Sequence, residues 1–256
     1  MSIDITTPHI GRIYDYMLGG TYNYEADRRA ASAILALVPA YPRWARLNRS
    51  FLGHVGRRWA AEGRGRVLDL GSGLPTQGHF NEHLPEARIL FADNDPLSVL
   101  QGQQLLAYTS DMAYVEVDVR ETDTLFKHAA SFFEDDRHLA VGAIGMVYFL
   151  SDDDLRRLME RLHAFCAPGS VMALTFHDVP GGPEGEQIKE TLLASAKHAR
   201  INFYPRTPEQ LAELVAPWHG FTTVRLADLL EDAGSAPIDP EHPMHRVQML
   251  GAFAEH

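Results

Sequence analysis

The chain has 256 residues, 45% of them hydrophobic, which is enough for one sizeable α/β core with a lid. Its 23 basic and 34 acidic residues leave a formal net charge of −11, which repels phosphate backbones and argues against nucleic acid as a generic partner. The single cysteine, Cys166, excludes an internal disulfide; with no secretory leader and no apolar run near the ~20 residues of a membrane helix, the expectation is a cytoplasmic protein without a membrane partner.

Residues 1–62 read as helical in three pieces. The first, Ile10 to Leu18, stops at Gly19-Gly20 and gathers Tyr14, Tyr16, Tyr22 and Tyr24 around it. The second starts near Asn23 or Glu25 and runs to Val38, with Ala30, Ile34, Leu37 and Val38 on one face. The third, Trp44 to Ala61, carries Leu47, Phe51, Leu52 and Val55 at helical spacing. This segment reads either as a helical cap over a cleft built by residues 63–256, or as helices packed on the flank of a sheet.

From Arg66 to Pro96 the sequence reads strand, glycine turn, helix, strand. Val67-Leu68-Asp69-Leu70 is a short apolar run closed by Gly71-Ser72-Gly73. A helix is expected over Thr76 to Leu84, with Pro75 in its first turn. Ile89-Leu90-Phe91-Ala92 is the second strand and ends at Asp93. Ligands of open parallel sheets bind beyond the carboxyl ends of the strands, so the glycine turn and Asp93 share one crevice. The dinucleotide fingerprint G-x-G-x-x-G is broken by Thr76, and no lysine follows as a P-loop would need.

A helix after Pro96 leads to a third strand, Tyr114 to Val119, and a helix over Thr122 to Phe133. The apolar stretch from Leu139 to Leu150 holds a fourth, central strand whose end, Met146 to Leu150, faces the crevice. Ser151 caps the next helix, and Asp152-Asp153-Asp154 complement its dipole rather than bind metal. Val171 to Phe176 is the fifth strand. His177, at its end, is either a general base or a histidine merely hydrogen-bonded there. Gly181-Gly182-Pro183 begins a mobile loop before a helix at Glu186 to Ala199. Thr207-Pro208-Glu209-Gln210 is a capping box whose helix runs to Val215. Strands at Phe221 to Leu226 and Val247 to Phe253 close the chain around a proline-rich loop, Gly234 to His245.

An acid before a G-x-G turn, Asp69-Leu70-Gly71-Ser72-Gly73, and an acid ending the second strand, Asp93, resemble class I S-adenosyl-L-methionine-dependent methyltransferases. Ile10-Gly11-Arg12-Ile13-Tyr14-Asp15-Tyr16-Met17-Leu18-Gly19-Gly20 with Asn23 and Ala26-Asp27-Arg28 is similar to the opening of a largely actinobacterial S-adenosyl methyltransferase family, long catalogued as a domain of unknown function. Asn48-Arg49-Ser50-Phe51-Leu52, Leu74-Pro75-Thr76, Asp93-Asn94-Asp95-Pro96 and Arg206-Thr207-Pro208-Glu209-Gln210 extend that similarity over nearly the whole chain.

The resemblance implies a Rossmann-like α/β fold: a seven-stranded, mostly parallel sheet, a C-terminal antiparallel hairpin and an N-terminal helical cap. It implies S-adenosyl-L-methionine as cofactor, held by Asp69, Gly71, Ser72, Gly73, Asp93, Asn94, Asp118 and Val119, with Tyr14, Asn23 and Arg49 at the lid and methionine end. His177 and Tyr148 are the candidates on the acceptor side. The expectation is a methyltransferase acting on a small molecule, without a metal, as a monomer or homodimer. The alternatives are a module that binds the cofactor without transfer and a dinucleotide-dependent oxidoreductase.

Overall fold

The structure is a computed structural model describing residues 4–75, 78–107, 109–229, 239 and 241–256. Its centre is a seven-stranded sheet of β1 (Arg66–Leu70), β2 (Arg88–Asp93), β3 (Met112–Glu116), β4 (Ala140–Ala143), β5 (Val171–Asp178), β6 (His219–Arg225) and β7 (Gln248–Glu255). The strand order is β3-β2-β1-β4-β5-β7-β6. The first five strands are parallel, while β7 runs antiparallel between β5 and β6. The mostly parallel sheet and its antiparallel closing pair are thus as the sequence leads one to expect.

Both faces of β1 and β2 are apolar, so both need cover. Leu68, Leu70 and Leu90 point to one face, under α6 (Thr122–Phe133), α7 (Asp152–Phe165) and α9 (Pro208–Val215). Val67, Ile89 and Phe91 point to the other, under α3 (Tyr41–Ala61), α4 (Phe80–His83), α5 (Pro96–Leu105) and α8 (Gly182–His198). Phe51, Val55 and Trp59 of α3 are fully buried there, and Trp59 stacks on Phe80 at 5.0 Å. Ahead of α3, α1 (Ile10–Met17) and α2 (Glu25–Leu37) pack through Ile13, Met17, Ala30, Ala31 and Ile34.

Four expectations are corrected. The helix after the glycine turn spans only Phe80–His83, because His79 is extended and caps it; Pro75 lies outside it, and residues 76–77 are not among those described. β3 ends at Glu116, since Asp118 folds back to accept the Arg120 amide and guanidinium. β4 stops at Ala143: Gly145, at φ +79°, gives its amide to Thr175 Oγ1, and Val147–Phe149 form a 3-10 turn. Gly182 and Pro183 belong to the first turn of α8 instead of a loop. Most of the expected proline-rich loop lies outside the described residues; its end, from Pro243, enters a 3-10 turn, Pro243–Arg246.

A buried charge network fastens α1 to the end of β2. Arg12, 3% exposed, donates from Nε to Asp27 at 3.0 Å and from Nη1 to Asp95 at 3.4 Å. Its Nη2 reaches the carbonyls of Asp4 and Thr7. Asp27 also holds the amides of His9 and Tyr24, and Asp95 caps α5 through the Ser98 amide and hydroxyl. Both carboxylates share the one guanidinium and take amides besides, so each buried group has partners, which is the condition for keeping it out of water.

His177 lies on β5 with its ring between Trp44 (4.7 Å) and Tyr148 (4.8 Å). It is 4% exposed and neither ring nitrogen has a protein partner. Burial pushes its pKa down to about 3, so the ring is neutral at physiological pH.

Two outcomes follow for stability. Arg12→Met should lower the unfolding free energy in denaturant titration by about 3–5 kcal/mol, because it strands two buried carboxylates. His177 has a folded pKa below its unfolded value near 6.5, so the unfolded chain binds more protons between those values and stability falls as pH drops. Between pH 7.5 and 5 the native protein should therefore lose about 2 kcal/mol more than His177→Leu, read from paired urea melts.

Candidate functional site

The glycine turn and the end of β2 are tied together by one side chain. Gly71 and Gly73 adopt φ of +64° and +68°, which the tight reversal after β1 requires. The Gly73 amide donates to Asp93 Oδ2 at 2.7 Å, and the Asp95 amide donates to Oδ1 of the same carboxylate at 2.8 Å. Ser72 closes the corner, its hydroxyl donating to the Asp69 carbonyl at 2.9 Å. Tyr114 of β3 adds a hydrogen bond from its hydroxyl to the Gly73 carbonyl. Asp93 is 8% exposed; burial raises its pKa, and the two amides oppose that rise.

Around this corner lies a cavity of about 120 Å³. Its floor is the strand tips: Asp93 and Asn94 after β2, Asp69 and Gly71–Gly73 at β1, and Gly145–Phe149 after β4. Its roof is α1 and α3, through Tyr14, Asp15, Tyr41, Asn48 and Arg49. Four of these residues carry buried polar atoms without a protein partner: Asp15 Oδ1, Asn48 Oδ1, Asp69 Oδ2, and Arg49 Nε and Nη1. Groups stranded in this way cost about 1–3 kcal/mol each unless a ligand satisfies them. Two carboxylates and a guanidinium in one cavity suit a ligand bearing both an ammonium and a carboxylate. Burial raises Asp69 to a pKa of about 7, with the Ser72 hydroxyl and Arg49 opposing it.

The cavity continues past Asn94, Met146 and Phe149 into a cleft of about 400 Å³ that includes Asp118, Val119 and Arg120. Together the two spaces match a small-molecule site of about 300–1,000 Å³. The Arg120 guanidinium grips Asp118 from Nε at 2.9 Å and holds its carboxyl below the usual range. The Asp118 side chain remains 21% exposed toward the cleft.

Of the residues singled out from sequence, Tyr14, Arg49, Asp69, Gly71, Ser72, Gly73, Asp93, Asn94 and Tyr148 line the cavity, and Asp118 and Val119 line the cleft. Asn23 is not among the lining residues; its amide donates to Asp15 Oδ2 at 3.1 Å and to the Gly20 carbonyl. His177 lines a separate small cavity with Ile34, Trp44 and Phe203. Asp15 and Asn48 escaped the sequence reading. Asn48 sits one turn from both Trp44 and Leu52, so a polar side chain interrupts the apolar stripe of α3, and that was its signal. Asp15 lies similarly among buried neighbours on α1, and a Cβ on Gly20 would lie 2.1 Å from its Oδ1, which explains the glycine.

Comparison with known proteins agrees with this architecture. The S-adenosyl methyltransferase family matches residues 1–223. A crystal structure of a candidate methyltransferase from Thermobifida fusca YX superposes with a TM-score of 0.82 at 28% identity, covering 98% of this chain and 96% of that one. A DUF574 family protein from Streptomyces avermitilis MA-4680 gives 0.82 at 27% identity, covering 99% of both chains. A phosphoethanolamine N-methyltransferase from Haemonchus contortus, solved with phosphomonomethylethanolamine and S-adenosylhomocysteine, shares the fold at 14% identity, with a TM-score of 0.52 over 75% of this chain and 49% of that one. No protein of curated function has a significant sequence match. The chain therefore belongs to the S-adenosyl methyltransferase family, and it is an S-adenosyl-L-methionine-dependent methyltransferase with the class I fold.

Proposed function

We propose that the cavity and its adjoining cleft hold S-adenosyl-L-methionine along the strand tips and deliver its methyl group to a small-molecule acceptor. The bound cofactor supplies an electrophilic methyl carried on a cationic sulfur. Asp93 takes the ribose hydroxyls, using the lone pairs that the Gly73 and Asp95 amides leave over. Asp118 accepts from the adenine amine, and the Val119 backbone meets the ring. Arg49 faces the methionine carboxylate; Asp15 and Asp69 face its ammonium. The observation that carries this reading is the set of buried, unpartnered atoms on Asp15, Asp69 and Arg49 in one cavity with Asp93.

Residues 1–62 then act as the cap and 63–256 as the cofactor-binding unit, with α1 excluding water from the reacting atoms. The chain's own contribution to rate is alignment of donor and acceptor. Tyr148 lines the transfer end of the cavity. His177 has no place in this chemistry: its ring lines another cavity and is neutral. A small-molecule acceptor fits an enclosed site and a chain of net charge −11 better than a nucleic acid does. The reading further places the protein in the cytoplasm, as a monomer or homodimer without a metal. Among the described residues no helix is long and apolar enough to cross a membrane.

The decisive measurement is calorimetric titration with S-adenosylhomocysteine. The native protein should bind, and Asp93→Asn should weaken binding by about ten- to a hundredfold, or roughly 1.5–3 kcal/mol for a hydrogen bond to a charged group. Unchanged affinity would remove Asp93 from the ribose and with it the proposed orientation.

A further inference from the structure

The sheet sets an order along the cavity. Asp118 follows β3, Asp93 ends β2 and Asp69 lies on β1, so the proposed cofactor runs from adenine to methionine across β3, β2 and β1. The next tip is that of β4, where Gly145 to Phe149 turn over the cavity. Two groups there have no role in holding the cofactor. Asn48, 3% exposed, offers Oδ1 with no partner, while its Nδ2 lies 3.4 Å from the Tyr148 hydroxyl. Tyr14, Tyr41 and Tyr148 line the same cavity beside it. Burial raises the pKa of Tyr41 and Tyr148, and after it nearby phenols do, Tyr14 for Tyr41 and both Tyr41 and Tyr14 for Tyr148, so these rings stay neutral.

We infer that Asn48, Tyr41 and Tyr148 form the subsite for the methyl acceptor, and that this acceptor is an amine nitrogen. The inference rests on the cofactor reading above. An amide oxygen left over in a buried site calls for a hydrogen on the ligand, and tyrosine faces favour a cation. A neutral amine meets the first demand as it binds and the second once it is methylated. Its N–H donates to Asn48 Oδ1 and its lone pair attacks the methyl carbon. The new N–C bond forms as the S–C bond breaks with its electron pair passing to sulfur. The positive charge moves from sulfur to nitrogen, and no proton need leave during the step. The product cation then sits beside the Tyr41 and Tyr148 rings.

A hydroxyl acceptor would need a base. Even beside Asp69, whose pKa is raised to about 7, a phenol with a pKa near 10 is ionised only about one part in a thousand. The other titratable groups lining the cavity lie elsewhere along it: Asp93 holds two amides, Asp69 belongs to the β1 tip, Asp15 holds the Tyr22 amide, and His9 faces Asp95 at the β2 end.

Sinefungin tests the idea directly, because it carries an ammonium-bearing carbon where the cofactor has its sulfonium methyl. Sinefungin and S-adenosylhomocysteine share every other group, so the ratio of their dissociation constants isolates this subsite. The native protein should prefer sinefungin by about tenfold or more, the strength of one charge-assisted hydrogen bond. Asn48→Leu and Tyr41→Leu should each cut that preference about fivefold, holding S-adenosylhomocysteine affinity within about twofold. Asn48→Asp and Tyr41→Phe, which keep the acceptor oxygen and the ring, should retain it. An unchanged ratio in Asn48→Leu overturns the subsite, and an unchanged ratio in Tyr41→Leu overturns the amine. Loss of affinity for both ligands alike assigns the residue to the cofactor and also overturns the inference. Failure of the native protein to bind S-adenosylhomocysteine would instead overturn the cofactor reading on which the inference stands.

Discussion

The carboxylate of Asp93 organises the ligand-facing end of the sheet. A glycine turn after a strand can take many shapes; here its amide at Gly73 is fixed at 2.7 Å from an acid on the neighbouring strand. The same carboxylate fixes the Asp95 amide, and Asp95 in turn holds Arg12, which holds Asp27. The chain of contacts runs from the β1 tip to α2 through four charged side chains. Because each is buried, removing one leaves its neighbours without compensation. The geometry of the cleft and the seating of its roof are therefore one problem with one solution.

Floor and roof differ in kind. The floor is backbone and short acids at strand ends, positioned by a sheet buried on both faces. The roof is side chains on α1 and α3, where polar atoms of Asp15, Asn48 and Arg49 are kept from water without protein partners. The roof is joined to the floor through α3 as well as through Arg12. Phe51, Val55 and Trp59 sit in the same core as Val67, Ile89 and Phe91, so the residues at Asn48 and Arg49 inherit the rigidity of the sheet. Asn23, outside the cavity, contributes by holding Asp15 in place.

Much of this was legible in the residues. The continuous apolar runs of β1 and β2, the Ser151 cap and the Thr207 capping box each follow local rules, and each stands in the structure. The misreadings share a cause: a long-range partner overrode a local pattern. The strand expected within Leu139 to Leu150 reads as ending at Met146 to Leu150, yet it stops at Ala143, where Thr175, 30 residues from Gly145, takes the Gly145 amide and turns the chain. The alternation of Val115, Val117 and Val119 reads as strand to its end, yet Arg120 curls Asp118 back. His177 has the residue type and the strand-end position of a base, but its surroundings of Trp44, Tyr148 and Phe203 are set by tertiary packing that no spacing reveals.

The fastening of the roof has a bearing on turnover. In the reading proposed above, spent nucleoside leaves a cavity whose roof helix α1 is pinned through Arg12 to Asp95, a pair only 4% and 1% accessible at its side chains. Mobile ions screen such a contact little, in contrast to the exposed Arg120–Asp118 grip at the other end of the cleft. The fastening of α1 to the end of β2 is thus insensitive to ionic strength, whereas added salt weakens the grip of Arg120 on Asp118 at the far end of the cleft.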